Sequence, residues 1–408
     1  MNKLLFVLLI CLPCMSARAN DTAGYVLPTG GVVFQKQDGI KMKNEALYIR
    51  PGQIEVNYLF ENTTDKDITT QVFFPLPPIA AVADYYGYTR EALHQFHFKL
   101  WVNGKPKKYQ TVFNLKQGER AVPAAANSLW KYPEEGMNEP LFHERVSAMK
   151  EKDRQLLIDG KFLRWGGVFL PNNETGDYEE AEGWTITDWE EKMWTKEISY
   201  SWLQTFPAGK TVHIRHTYTP SAKTINTGMP FSACINPNTW DYRDFVRIPT
   251  PPGTDRLWDK LQAQHYVEYI LTTASNWQGF IDDFNLLVES PLKSVGCFEG
   301  QPFYGEKYFA ISRKYFYPER NLSVDFLEKG SIPSSYTPTS NPVLFRVDGP
   351  ANVRKEPNGK IVGEMKDGTY AWVWPGEKQG SWYPVLQNNL QGYTHKQNLI
   401  KVFEPGVK

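Results

Sequence analysis

Gln53-Ile54-Glu55-Val56-Asn57-Tyr58-Leu59-Phe60 places Ile54, Val56, Tyr58 and Phe60 at every second position, with Gln53, Glu55, Asn57 and Leu59 between them. Successive side chains of a strand point to opposite faces, so this period predicts a strand buried on one side. Asn62-Thr63-Thr64-Asp65-Lys66-Asp67 is turn chemistry, and residues 68–74 resume the extended pattern. Phe74-Pro75-Leu76-Pro77-Pro78 ends it, because proline has no N–H to give a ladder. The same grammar recurs outward. Residues 96–102 and 109–115 flank Asn103-Gly104-Lys105 and predict a hairpin, since Asn-Gly tolerates the positive φ of a tight turn. Residues 195–206 and 211–218 flank Pro207-Ala208-Gly209-Lys210, and further strands are expected at 266–274, 284–289, 308–316 and 322–327.

Two stretches break the period. In residues 141–163, Phe142, Val146, Met149, Leu156 and Leu157 approximate one helical face among charged neighbours, which predicts a helical insertion. A short helix is expected at 254–264, with Thr254 as its cap. The sum is a mainly β chain: a β-sandwich region, one sandwich or two packed together, with helical insertions.

The chain has 408 residues with 45 basic and 45 acidic side chains, so no nucleic-acid or anionic-membrane footprint shows. Its N-terminus reads as a signal peptide. Lys3 gives a positive start, residues 4–12 are apolar, and Ala17-Arg18-Ala19 carries small residues where signal peptidase reads, predicting cleavage between Ala19 and Asn20. An apolar helix that short rises about 14 Å, against a bilayer core of roughly 30 Å, so no transmembrane segment is expected after cleavage. Cys11 and Cys14 lack the small residue that precedes a lipidated cysteine. The chain is therefore expected to be exported, to the periplasm or beyond the cell. Processing leaves Cys234 and Cys297, which read as one disulfide in an oxidising compartment; the competing reading is a reactive thiol.

Residues 331–342 carry three prolines and no charge, and mark a linker. The expected organisation is a signal peptide (1–19), a β-sandwich domain (20–329), a linker (330–342) and a small C-terminal domain (343–408). The last resembles the bacterial SH3-like domain. The matching residues are Ala351-Asn352-Val353-Arg354 with Pro357, Ile361-Val362-Gly363, Asp367-Gly368-Thr369, Ser381-Trp382-Tyr383 with Val385, and Gly392-Tyr393 with Leu399. The resemblance implies a small barrel that binds cell-wall or other peptides. Residues 20–329 resemble exported bacterial proteins catalogued only as a domain of unknown function. The shared marks include Gly30-Gly31-Val32, Phe74-Pro75-Leu76-Pro77, Trp202-x-Gln204-x-Phe206-Pro207-Ala208 and His216-x-Tyr218-x-Pro220. That likeness implies no activity.

Residues that could carry chemistry are few. His213 and His216 lie three apart on an expected strand and so face opposite sides, which suits one metal poorly; His94 and His97 share the spacing. Glu174, Asp177, Glu179, Glu180, Glu182, Asp188, Glu190 and Glu191 form an acidic stretch that reads as a solvated loop rather than a calcium site. No catalytic residue, metal ligand or cofactor is assigned: a Gly-x-Ser-x-Gly elbow, a His-Glu-x-x-His helix and a free cysteine beside histidine are all missing. The informative feature is Tyr370-Ala371-Trp372-Val373-Trp374. Alternation puts Ala371 and Val373 in the core of the small domain, and Tyr370, Trp372 and Trp374 on its outside. An outward aromatic row marks a contact surface, for a peptide or glycan ligand or for docking on the large domain. The expected function is a non-catalytic binding or scaffolding protein of the cell envelope, with cell-wall peptide or an envelope protein as partner. The alternatives are an envelope enzyme with an unfamiliar site, and a subunit of an envelope assembly.

Overall fold

A computed structural model describes residues 21–26, 32–82, 96–171, 178–187, 193–220, 262–290, 293–328 and 341–403. The alternation at residues 53–60 holds: Ile54, Val56, Tyr58 and Phe60 of the Gln53–Asn62 strand are all fully buried. This strand is central in a sheet of order Tyr308–Phe316, Ile281–Glu289, Ile40–Arg50, Gln53–Asn62, Thr211–Tyr218, Lys99–Val102, Lys105–Pro106. Only Ile281–Glu289 beside Ile40–Arg50 runs parallel among its pairs; the rest are antiparallel. A second sheet centres on Trp194–Phe206, between Ile68–Pro75 and Gln110–Gln117, and extends to Thr22–Val26 and Val32–Gln35. A third is built on Leu322–Glu328, between Gln262–Tyr269 and Lys293–Phe298, with Gln301–Gly305 at its edge.

The first sheet is shared. Phe60 meets Phe206 of the second sheet edge-on, and Phe284 stacks on Phe298 of the third. One continuous apolar core results, holding residues of all three sheets. The chain passes from the first sheet to the second after Asn62 and returns to the first before Thr211, at neighbouring corners. Asn62 fastens both. Its side-chain amide donates to the carbonyls of Lys66 and Phe206, and its oxygen accepts from the N–H and hydroxyl of Thr64. The turn chemistry at 62–67 is therefore a corner of a sandwich.

Three local expectations are corrected. Asn103 and Gly104 do form a tight turn, with φ of 49° and 75°, but it joins Lys99–Val102 to Lys105–Pro106. Gln110–Gln117 leaves for the second sheet and pairs with Trp194–Phe206 instead, because its buried side chains fit that layer. The helical insertion is two helices, Glu139–Ser147 and Glu151–Asp159, broken at Ala148-Met149-Lys150. Asn138 caps the first by accepting from Leu141 N at 3.1 Å. Both cover a second core of Phe142, Val146, Leu157 and Trp194, beside a hairpin of Leu163–Pro171 and Tyr178–Ile186. Residues 262–264 begin a strand rather than end a helix, with 254–261 outside the described residues, and that strand stops at Tyr269 before a 3-10 turn, Thr272–Asn276.

The C-terminal unit begins with Val343–Val347, and the expected linker lies almost wholly outside the described residues. Its sheet runs Ile361–Met365, Ala351–Arg354, Leu390–His395, Trp382–Gln387, Tyr370–Val373, Val343–Val347, Leu399–Lys401. It encloses its own core of Val347, Ala351, Val353, Met365, Ala371, Val373 and Val385. Among the described residues no helix is long and apolar enough to cross a membrane.

Candidate functional site

The aromatic row lies where the two parts of the molecule meet. Ala371 and Val373 point into the core of the C-terminal unit, as alternation requires, and Trp372 and Trp374 point away from it. They are not open to solvent. Trp372 is 5 % and Trp374 4 % exposed, packed with Leu344 and Leu386 against Ala46, Tyr48, Leu287 and Ala310 of the large sheet. Strand register explains the fit. Leu287 lies opposite Ala310 on one side and Tyr48 on the other, so three neighbouring strands present one small apolar patch. The Trp372 ring sits 6.2 Å from that of Tyr48, and Trp374 5.0 Å from Tyr308. Tyr48 in turn donates its hydroxyl to Glu289, and burial, then Glu289, pushes that hydroxyl's pKa far up. Of the two uses expected for the row, docking is what surrounds these rings, and neither tryptophan presents a free face to a ligand.

Tyr370 differs. It is half-buried, donates to Asp283 Oδ2 at 3.2 Å, and borders a cavity of about 260 Å³ between the units. Asp283, Asn285, Ser312, Arg313 and Lys314 line it from the large sheet, and Thr369, Tyr370, Gln387 and Asn388 from the C-terminal unit. Asn388 Oδ1 accepts from Ser312 N at 3.1 Å, and Ser312 Oγ donates to Asn285 Oδ1 at 2.8 Å. Burial pushes the Asp283 carboxyl up, against the pull of Lys314, whose Nζ is 3.6 Å away.

A second open surface belongs to the C-terminal unit alone. Val343, Phe345, Pro375, Tyr383 and Leu399, with Asn341 and Lys401, line a groove of about 670 Å³. The Phe345 and Tyr383 rings, 6.5 Å apart, form its apolar wall.

His213 and His216 face opposite ways, as their spacing requires. His216 is fully buried, enclosed by the rings of Tyr58, Phe74, Phe98 and Trp202, with Asp21 Oδ1 3.3 Å from its Nε2. His213 faces the C-terminal tail, stacks on Phe403 at 5.0 Å and bonds Asn57 at 3.0 Å. Burial, then the charge of Arg215, lowers its pKa to about 4. An unfolded histidine titrates near 6.5, so between about pH 4 and 6.5 the unfolded chain binds the extra proton. Stability from this group is complete above that window and is lost as pH falls through it. A His213→Gln variant is expected to lack that slope in denaturant titrations at pH 7 and pH 5; equal pH dependence in both proteins would refute the assignment.

The remaining expected sites fall apart in space or outside the described residues. Cys297 is buried, and Cys234 lies outside the described residues, as do Ala19, Asn20 and His94. Glu179, Glu180 and Glu182 lie on one strand of a hairpin, while the other acidic residues of that stretch are not described. Among the described residues no three His, Cys, Asp or Glu side chains gather as a metal site would need.

One site escaped sequence reasoning. Lys196 is fully buried at an inward position of Trp194–Phe206, in the series Trp194, Lys196, Ile198, Tyr200, Trp202. Its ammonium donates to the carbonyls of Pro133 and Glu135 at 3.0 and 2.8 Å and lies over the Trp130 ring at 4.6 Å. Burial, opposed by Glu135, lowers its pKa to about 7. A lysine at an inward position of an aromatic alternation was the available signal. The Lys196 amine is enclosed by the groups it bonds, and the site fastens the 130–135 segment to the sheet.

The architecture defines a mainly β protein in which several sheets share one core and a small β unit docks on the outer face of one of them. The chain belongs to the family described as "Domain of unknown function (DUF4424)", whose model matches residues 19–324 and so stops short of the C-terminal unit. A search of curated proteins gives no match. Among solved structures, the chain is similar to a Legionella pneumophila protein described as a "putative nutrient binding protein", at 17% identity and a TM-score of 0.32. The alignment covers 75% of this chain and 71% of that one. So weak a likeness carries no argument about what this chain binds.

Proposed function

We propose that the chain is an exported, non-catalytic binding or scaffolding protein of the bacterial cell envelope. Its C-terminal unit is an SH3-like module that holds cell-wall peptide, or another peptide, in the groove of Phe345, Pro375, Tyr383 and Leu399. One observation carries this reading: the tryptophan row is spent on docking, while the Phe345–Tyr383 groove stays open with aromatic and proline walls. Aromatic-lined grooves of this make-up suit peptides bound in an extended conformation. Cleavage between Ala19 and Asn20, and a Cys234–Cys297 bridge, belong to the same reading; intact mass of the secreted protein before and after reduction tests both.

Sedimentation with purified sacculi tests the groove. The chain is expected to pellet at low and moderate salt, and Tyr383→Ser to weaken pelleting by roughly tenfold. Lys401→Glu, at the rim and outside the core, is expected to weaken it less. Sacculi incubated with the protein should release no muropeptides. Absence of pelleting, or pelleting untouched by both variants, rejects the groove; released muropeptides reject the non-catalytic reading.

A further inference from the structure

We infer that the outer face of the hairpin of Leu163–Pro171 and Tyr178–Ile186 docks a lysine- or arginine-bearing segment of a partner protein. These two strands pair with each other and, among the described residues, with no other strand. Their inner face lies on the Glu139–Ser147 helix. Val168 is buried there, and a Cβ on Gly183 would stand 2.6 Å from His143 Nδ1, which accepts from Trp184 N at 2.9 Å. Alternation turns Trp165, Gly167 and Phe169 the other way. Trp165 is 54 % and Phe169 44 % exposed. Two aromatic rings this open on one face of a short hairpin are the mark of a contact surface.

Strand register sets the charge of that surface. Phe169 lies opposite Glu180, Gly167 opposite Glu182, and Trp165 opposite Trp184. The glycine leaves a gap between the two rings, and Glu180 leans into it: a Cβ on Gly167 would meet its Oε1 at 3.2 Å. Glu182 faces the same gap from the neighbouring strand. Both glutamates are exposed, and among the described residues neither has an ion-pair partner. The nearest cations are otherwise engaged. Arg154 lies over the Trp184 ring at 5.4 Å, held by Glu151 and by the carbonyls of Val146 and Ser147. Arg164 lies beside Gly166, which alternation puts on the opposite face. Rings with carboxylates between them attract a cation twice, through the ring faces and through opposite charge. Lysine and arginine reach both at once, with the apolar stem along the rings and the charged head at the glutamates. An acidic partner or an anionic lipid surface would meet like charge. The face is open rather than concave, so a small free cation would keep its water, and the occupant must bring several contacts of its own.

The test titrates the full chain into fluorescein-labelled penta-lysine and penta-arginine at low salt, following anisotropy. Penta-glutamate and vesicles of phosphatidylglycerol with phosphatidylcholine are run beside them. At least one basic peptide is expected to saturate. Trp165→Ala should weaken that binding by about fivefold, and so should the near-isosteric pair Glu180→Gln with Glu182→Gln. Glu119→Gln with Glu319→Gln removes the same charge at exposed positions elsewhere and should change little, as should Tyr383→Ser in the peptide groove. The proposal fails if neither basic peptide saturates, or if penta-glutamate binds as well as they do. It fails if Trp165→Ala and the glutamine pair bind as the parent does, since diffuse charge would then suffice. Vesicle binding lost in Trp165→Ala would make a lipid surface the occupant, and self-association lost in the same variant would make it a second copy of the chain; either result overturns the proposal.

Discussion

Trp372→Ala is expected to release the C-terminal unit from the large domain without unfolding either. The indole packs entirely outside the unit's own core, which is built on the opposite face by Ala371, Val373 and Val385. Removing a buried tryptophan costs about 3–5 kcal/mol where the site cannot collapse, and here the loss falls on the contact between the two parts. The remaining apolar ties are Trp374 on Tyr308, the smaller Leu344 and Leu386, and the Phe403–His213 stack, and the polar ones are Tyr370 to Asp283, Asn388 to Ser312 N, and Arg50 to Asn341 at 3.3 Å. Limited proteolysis should cut the variant between the units far faster than the parent, leaving two resistant fragments. The parent should unfold in one transition and the variant in two. Trp374→Ala should act in the same direction through its contact with Tyr308. If Trp372→Ala instead lowers sacculus binding with the units still locked together, the row serves a ligand and the docking account is wrong.

The row also shows what a single chain discloses. Its register was legible, because alternation around Ala371 and Val373 fixes which side chains leave the small core. What covers Trp372 and Trp374 was not, because the cover combines Ala46, Tyr48, Leu287 and Ala310 from three strands far apart in sequence. The strand at Gln53–Asn62 could be read from its period, yet the destination of the next strand could not. Asn62-Thr63-Thr64-Asp65-Lys66-Asp67 has the same turn chemistry whether the chain folds back or crosses to a facing sheet. Only the buried bonds of Asn62 to Phe206, 144 residues away, decide that. The hairpin expected after Val102 misled for a related reason. Asn103-Gly104 specifies the turn but not how long the returning arm stays paired, and the return ends at Pro106, which can offer no N–H to extend the ladder. The cavity was invisible for want of any local signature, since Asp283, Asn285, Thr369 and Gln387 each read alone as ordinary polar positions.

Lys196→Ala is expected to be among the most damaging single changes in the large domain, at about 4 kcal/mol. The substitution leaves the buried carbonyls of Pro133 and Glu135 without their donor and empties the space between Phe113 and Trp130. Three further hydrogen bonds would lose support. Glu135 is held by both terminal nitrogens of Arg145 at 2.6 and 2.7 Å, and Tyr200 donates to Glu134 at 2.7 Å, so the 130–135 segment is a single bonded unit on the sheet. Lys196→Met separates amine from volume: it keeps the stem, and its expected cost is smaller, about 2 kcal/mol. The pH dependence tells the two contributions apart. With a folded pKa of about 7 and an unfolded one near 10.4, both states hold the proton below pH 7, and this group adds no slope there. Between pH 7 and 10 the unfolded chain binds more protons, so the parent's stability should rise with pH while that of Lys196→Met does not. The gap between the two proteins should therefore widen from pH 7 to pH 9, by up to about 1.4 kcal/mol per unit. Denaturant midpoints that coincide for parent and Met variant at both pH values would mean that the buried amine neither holds the segment nor carries the depressed pKa, and that the packing of Trp130 and Phe113 alone keeps residues 130–135 in place.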